Sequence, residues 1–438
     1  MEPIRIGLLG CGTIGGGVVK LWRRNRQMLA RKLGVPVELA GVAELELKRT
    51  RALGLSASLV TREAAALVAR PEIDIVIELL GGYEPARSLI LKALEAGKDV
   101  VTANKALLAE HGEAIFQAAD RAGRSVGFEA SVGGGVPIIR TLREGLAGDR
   151  QRAVYGIVNG TCNFILSTMS EHDVEFRDAL ADAQRAGLAE ANPALDVEGH
   201  DAAHKLCLLV TLAFGRTLKP AQVYTEGITR VTHADIAYAR ELGFAMKLLA
   251  IAKDDDGRIE ARVHPTMVPL GHPLASVGGA FNAIYIHGEA LGSTMYFGLG
   301  AGEMPTATAV MADVLQIARE RLAAREGAIV RAHAQGYPIR WLKPARVKPM
   351  QDVVCEYYLR FMAPDKPGVL GAIASVLGRN AISIASVIQK GRGAERTVPV
   401  IMRTHEARER NLKRALAEIH RRGMTGTAPA FIRIEERL

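Results

Sequence analysis

The chain reads as an α/β protein of three modules: a doubly wound parallel sheet, a middle α+β domain, and a C-terminal ferredoxin-like unit. Three patterns predict this. Short apolar strands alternate with amphipathic helices over residues 1–130, strands and helices mix from Ala153 onward, and the order strand-helix-strand-strand-helix-strand begins at Glu356. The expected boundaries are 1–140, 141–299, 300–335, a linker at 336–352, and 353–438. A length of 438 residues with 48% hydrophobic content is enough for a core in each module.

In the first module, Ile4 to Leu9 is an apolar strand followed by Gly10-Cys11-Gly12-Thr13-Ile14-Gly15 and a helix from about Gly17 to Leu33. A G-x-G-x-x-G in strand-turn-helix context is the Rossmann-like arrangement: the glycines allow a tight turn and close backbone approach, and the helix start receives a pyrophosphate. Strand Val37 to Ala43 ends at Glu44, positioned for a ribose 2′-hydroxyl of NAD, while Lys48 and Arg49 are close enough to meet the 2′-phosphate of NADP. The cofactor therefore reads as NADP or NAD. The alternation continues with strand Ile73 to Glu78, helix Pro85 to Ala96, strand Asp99 to Thr102, helix Ala106 to Ala122 and strand Ser125 to Glu129. Lys105 falls just beyond a strand's carboxyl end, the edge where open α/β sheets bind ligands. Gly133-Gly134-Gly135 before Pro137 suits a hinge into a helix.

The middle module opens with a strand from Ala153 that turns into a helix at Asn159-Gly160-Thr161, where Asn163 suits either capping or ligand contact. Its centre is the stretch from Gly187 to Lys205. Pro193 and Gly199 keep Glu190 and Asp196 on irregular backbone, whereas Asp201 to Phe214 reads as a buried helix stopped by Gly215. Asp201 and Lys205, four apart, share one face, and an ordinary ion pair would explain those two alone. Lysine is rarely buried without partners, so adding Glu190 and Asp196 points to a lined cleft. A lysine in a dry pocket can have a lowered pKa suited to taking up and returning a proton.

Beyond it come Glu226-Gly227-Ile228, a long helix near Asp235 to Leu249, and strands Ile259 to Pro269 and Ala283 to Gly288. An open sheet with one helical layer often pairs with its own copy, so a homodimer or homotetramer is expected. His264, His272 and His287 have no ligand spacing and read as structural. Phe297 to Thr306 is a glycine loop leading into a helix from about Ala307 to Arg325. Pro338, Pro344 and Pro349 mark the linker. After it follow strand Glu356 to Ala363, helix Val369 to Arg379, strands Ile382 to Lys390 and Thr397 to Thr404, helix Ala407 to Arg421 and strand Ala430 to Glu435.

A net charge of +9 does not point to nucleic acid, because no binding motif accompanies the basic run Lys20 to Arg26. Basic charge suits an anionic cofactor and anionic substrates. No uncharged apolar run approaches a membrane span, and Met1 to Gly10 lacks the features of a signal peptide. Cys11, Cys162, Cys207 and Cys355 are far apart, as expected of reduced thiols in the cytoplasm.

The pattern Gly187, Glu190, Asp196, Gly199, Asp201, Lys205 resembles the catalytic segment of homoserine dehydrogenases, as do Thr102-Ala103-Asn104-Lys105 and Asn159-Gly160-Thr161-Cys162-Asn163. The resemblance covers essentially the whole chain. It implies NAD(P)-linked interconversion of L-homoserine and L-aspartate 4-semialdehyde, on the route to threonine and methionine. Glu190, Asp196 and Asp201 would hold the amino acid, and Lys205 and Lys105 would be the catalytic candidates, with Lys105 also by the nicotinamide. By the resemblance 300–335 would complete the first module, and Gly187, Glu190 and Gly302 would join the glycine turn and Glu44 at the cofactor. A sodium ion would sit on Glu129, Val132, Gly134 and Val136, where oxygen-only ligands suit a hard cation.

Asp365-x-Pro367-Gly368-Val369-Leu370 and Asn380-x-Ile382-Ser383 resemble an ACT regulatory domain. That implies an amino-acid effector, expected to be threonine, near Asp365, Gly368, Val369, Asn380 and Ile382. Other readings of the chain are a different amino-acid or semialdehyde dehydrogenase, and a non-catalytic amino-acid sensor.

Overall fold

The computed structural model describes residues 2–328, 333–390, 397–436 and 438, so parts of the expected 1–140, 300–335 and 353–438 lie outside the described residues. Two compact units result: 1–154, 201–223 and 281–345 form one, and 155–200, 224–280 and 346–438 the other. Segments 201–223 and 281–299, expected in the middle module, pack with the first unit. Two contacts account for this: Asp201 pairs with Lys105, and the Gly135 amide donates to the Leu299 carbonyl.

The first unit is built on a six-stranded sheet in the order Val60–Thr61, Val37–Ala43, Ile4–Leu9, Ile75–Glu78, Asp99–Thr102, Val126–Gly127, with every ladder parallel. Chain order reverses on either side of Ile4–Leu9, so the carboxyl ends of that strand and of Ile75–Glu78 flank the ligand crevice of such sheets. Ile6, Leu8, Ile75, Ile77 and Val101 are fully buried, as both-face coverage by helices requires.

Helix Thr13–Leu33 starts before the expected Gly17, because Gly12 already caps it. Helix Glu303–Arg325, expected from Ala307, packs along it through Val18, Val19, Ala307, Val310 and Val314. The approach is close: a Cβ on Gly17 would lie 2.7 Å from Glu303 Cγ. Residues 297–299, expected in a loop, belong to strand Gly292–Leu299, which pairs antiparallel with Phe281–Gly288. Edge strand Val60–Thr61 was not foreseen, since two residues carry no periodicity. The last strand shrinks to Val126–Gly127, and Glu129 sits in a 3-10 turn, Glu129–Ser131.

In the second unit one sheet runs in the order Phe244–Asp255, Arg258–Pro269, Ala430–Ile434, Val354–Pro364, Thr397–Thr404, Ile384–Gln389. The last four strands, with helices Val369–Arg379 and Glu409–Arg421, are the expected ferredoxin-like unit around Tyr357, Phe361, Leu377 and Leu412. Its strand Ala430–Ile434 pairs in parallel with Arg258–Pro269, so the terminal module extends the middle module's sheet.

The expected long helix 235–249 is instead helix His233–Glu241 and strand Phe244–Asp255, separated by Gly243 at φ +88°. The Ala/Met/Leu run after Gly243 favours helix locally, but its twelve cross-strand pairs with Arg258–Pro269 override that preference. Asp196, expected on irregular backbone, lies in the short helix Ala194–Val197, and helix Phe176–Arg185 precedes it.

Candidate active site

The glycine turn forms as its pattern requires. Gly10 turns at φ +89°, and a Cβ on Gly15 would lie 2.1 Å from the Gly10 carbonyl oxygen, so the helix start packs directly beneath the turn. Cys11, Gly12, Thr13, Lys20 and Arg49 line an open cavity of about 590 Å³, while Ile14 packs against the core. Burial, then the charge of Glu44, pushes the Cys11 thiol up to about 11, so it stays protonated and structural.

Glu44 has a structural duty at the turn. Its carboxylate accepts the Cys11 amide at 2.6 Å and the Glu46 amide at 2.9 Å, which fixes the turn. Arg49, 4.0 Å from Glu44 and 3.2 Å from Glu46, is half exposed on the cavity wall. Lys20 reaches Glu303 at 2.6 Å in the same cavity, just past Gly302, which caps its helix at φ +120°. Sequence reading missed the Lys20 and Glu303 pair because 283 positions separate them. A cradle without side chains, a helix amino terminus and two cations fit a dinucleotide's phosphates.

Strand Asp99–Thr102 delivers Lys105 as the first residue of helix Lys105–Ala122, whose start is capped by the Asn104 side chain accepting the Leu107 amide. Helix His200–Phe214 carries Asp201 in its first turn and Lys205 one turn on. Lys205 Nζ donates to Asp201 Oδ2 at 2.6 Å, and Lys105 Nζ lies 3.2 Å from Asp201 Oδ1. Asp201 and Lys205 are buried, and about a third of the Lys105 side chain is exposed. The expected i,i+4 pair is present, but two lysines from separate elements share its carboxylate at the sheet's carboxyl edge. Two ammonium donors held by one buried anion can stabilise negative charge on a bound oxygen. A larger cavity of about 640 Å³, lined by Leu108, His111, Cys207, Thr211 and Ile339, includes neither lysine.

The triple glycine does more than relax a hinge. Gly133 and Gly134 have φ +71° and +53°, and a Cβ on Gly134 would lie 2.4 Å from the Gly300 carbonyl oxygen. The Glu129 carboxylate accepts the amides of Ile139 at 2.7 Å and Arg140 at 2.9 Å, while the Glu129 amide donates to Asp313. Burial, then the Glu129 charge, pushes Asp313 up to about 7. The Glu129 side chain is thus engaged in capping, and the Val136 carbonyl accepts the Ile138 amide.

Gly187, Glu190 and Asp196 belong to the second unit, whereas Lys105, Asp201 and Lys205 belong to the first. Gly187 follows helix Phe176–Arg185 at φ +69°, and Glu190 is exposed. Asp196 Oδ1 accepts the Asn159 side-chain amide at 2.7 Å. Asn159 also caps helix Gly160–His172 by accepting the Cys162 amide, so capping falls to Asn159 and not to Asn163. Asn163 is buried and donates to the carbonyls of Val277 and Gly279. Asn159 was legible as an N-cap asparagine, but its link to Asp196 was not. In the terminal unit Asp365 is exposed, and Gly368 caps helix Val369–Arg379 at φ +88°. Asn380 donates to the Val376 carbonyl and so closes that helix, while Ile382 is buried in the core and Val369 packs against it.

Family profiles match in three stretches: residues 10–129 to "Homoserine dehydrogenase, NAD binding domain", 137–315 to "Homoserine dehydrogenase" and 357–423 to "ACT domain". A homoserine dehydrogenase of Neisseria gonorrhoeae is 42% identical over 441 residues, covering 99% of both chains. A solved homoserine dehydrogenase from Thiobacillus denitrificans superposes with a TM-score of 0.94 at 43% identity, covering 100% of this chain and 99% of that one. A hyperthermophilic archaeal homoserine dehydrogenase solved in complex with NADPH gives a TM-score of 0.62 at 26% identity, covering 72% of this chain and 98% of that one.

Proposed function

The chain belongs to the homoserine dehydrogenase family of oxidoreductases, with a nicotinamide-binding domain and an ACT domain, and from that premise we propose which residues perform the reaction and what regulates it. Lys205 and Lys105 hold the reacting oxygen of L-homoserine or L-aspartate 4-semialdehyde. The shared Asp201 carboxylate carries this reading. The cofactor, when bound, accepts or returns a hydride at the substrate carbon. For oxidation Lys205 enters as the neutral amine, whose Nζ takes the hydroxyl proton and becomes the ammonium; for reduction that ammonium returns the proton, while Lys105 steadies the oxyanion. Glu190 and Asp196 offer carboxylates to the substrate ammonium. Asp201, first expected at the substrate, orients the lysines. Gly187 and Gly302 shape the cofactor's surroundings.

NADP is the proposed cofactor. Glu44 already holds the glycine turn, and Arg49 and Lys20 offer positive charge in the cavity. The archaeal relative solved with NADPH agrees with this. Sodium is proposed on main-chain oxygens of the Glu129 to Val136 turn, without the Glu129 side chain. Threonine is the proposed effector, with its carboxylate at the start of helix Val369–Arg379 and its ammonium near Asp365. Asn380 and Ile382 support that end of the module from within.

The modules 1–140 with 300–335, 141–299 and 353–438, joined by 336–352, are proposed as functional divisions. Among the described residues no helix is long and apolar enough to cross a membrane, and four buried free cysteines suit a reducing cytoplasm. Exposed Phe281, Met295, Phe297 and Leu299 on the hairpin, with the two phenylalanine rings stacked at 4.9 Å, suit a homo-oligomer contact.

Four outcomes test these readings. Replacing Lys205→Met is expected to lower kcat by about 10²–10⁴-fold with nicotinamide affinity retained; an unimpaired kcat removes Lys205 from proton transfer. Replacing Arg49→Ala is expected to raise the KM for NADP about tenfold and leave that for NAD unchanged, and adding threonine to the same assay lowers the rate. Equal change for both cofactors refutes the role of Arg49, and no response to threonine refutes the effector. Sedimentation should give two or four times 47.0 kDa, and a single-chain mass contradicts the oligomer.

A further inference from the structure

We propose that Arg433, on the last strand of the ACT module, is a positioning residue for the substrate segment, acting through Glu226 on the backbone that carries Asp196. The proposal rests on the reading of Asp196 as a substrate ligand.

Arg433 is 1% exposed and sits among three elements. Its Nε and Nη2 donate to the two carboxylate oxygens of Glu409 at 2.8 Å each, at the start of helix Glu409–Arg421. Nη1 donates to Glu226 Oε2 at 2.9 Å, and Nη2 also reaches the Tyr224 hydroxyl at 3.1 Å. That hydroxyl donates to the same Glu226 oxygen at 3.0 Å, and the guanidinium lies 5.0 Å from the centre of the Tyr224 ring. A planar guanidinium held by a two-pronged bond has little freedom left, so it presents Glu226 with a fixed partner.

Glu226 in turn governs the segment beneath Asp196. Its amide donates to the Val263 carbonyl at 2.8 Å, which keys residues 224–226 to strand Arg258–Pro269. The next residue, Gly227, touches the substrate segment directly: a Cβ there would lie 2.1 Å from the Val197 carbonyl oxygen and 2.5 Å from Glu198 Cα. The Ile228 amide donates to that carbonyl at 2.8 Å. Gly199, at φ +86°, packs back onto Thr225 and Val263. The helix Ala194–Val197 therefore rests on residues 225–228, and Asn159 fixes the Asp196 carboxylate from the other side. A shift of Arg433 with its strand moves Glu226, then Gly227, then the turn bearing Asp196. The terminal module is by this route part of the substrate site's support as well as an appended sensor. Arg433 and Glu226 are 207 positions apart, and no sequence motif links them.

Full-chain Glu226→Gln and Tyr224→Phe test this, because both leave the Arg433 and Glu409 pair in place. Each is expected to raise the KM for homoserine about five- to tenfold, with kcat and the nicotinamide KM nearly unchanged, and the double variant should be no worse than the weaker single, as for one shared interaction. An unchanged homoserine KM overturns the proposal. So does an equal rise in both KM values together with a lower unfolding midpoint, since that marks general loosening. Asp196→Asn is measured alongside. If it raises the homoserine KM while Glu226→Gln does not, only the positioning role falls. If Asp196→Asn leaves that KM unchanged, the substrate reading fails and the proposal falls with it.

Discussion

One buried carboxylate, Asp201, ties two lysines of the first unit together. Taking an ammonium out of water costs several kcal/mol, so Lys205 tolerates its apolar helix only with an anion beside it. The same anion draws in Lys105 from the end of a sheet strand. Two elements far apart in sequence are thereby locked at the edge where a parallel sheet presents its ligands. The glycine turn lies at that same edge, with Glu44 pinning its shape from below.

The second unit depends on charge in a different way. Its continuous sheet buries Arg262 between Glu260 and Glu435, with Lys253 also on Glu435, and buries Arg433 against Glu409 and Glu226. Burial, with Arg433 and Arg262 nearby, drives the His264 pKa well down, so that ring is neutral and structural as its lack of ligand spacing implied. Buried ion pairs add little net stability but penalise wrong pairings heavily. Here they fix the register between the strand Arg258–Pro269 and the terminal module, whose sheet would otherwise present a free edge.

Much of this was legible in the residues. Glycines at 10, 12 and 15, the apolar strands around them and the strand-helix order after Val354 follow local rules of turn, period and burial, and they appear almost where those rules put them. Errors fell where distant partners decide. Residues 244–249 read as helix until their pairing with Arg258–Pro269 is known. The Cys11 amide that meets Glu44 from 33 positions away was likewise not legible. In the first unit, the Asp201 and Lys205 pair was visible as a four-residue spacing, but the arrival of Lys105 was not. In the second unit neither the Asn159 hold on Asp196 nor the Arg433 bond to Glu226 was visible, because contacts across tens or hundreds of positions leave no periodic trace.

The direct test of the shared carboxylate is single-turnover hydride transfer in Asp201→Asn, followed by nicotinamide absorbance with homoserine and cofactor both saturating. If Asp201 sets the two lysines at the reacting oxygen, the rate falls by about 10²-fold or more while both dissociation constants stay near those of the unaltered protein. A rate equal to that of the unaltered protein would contradict it.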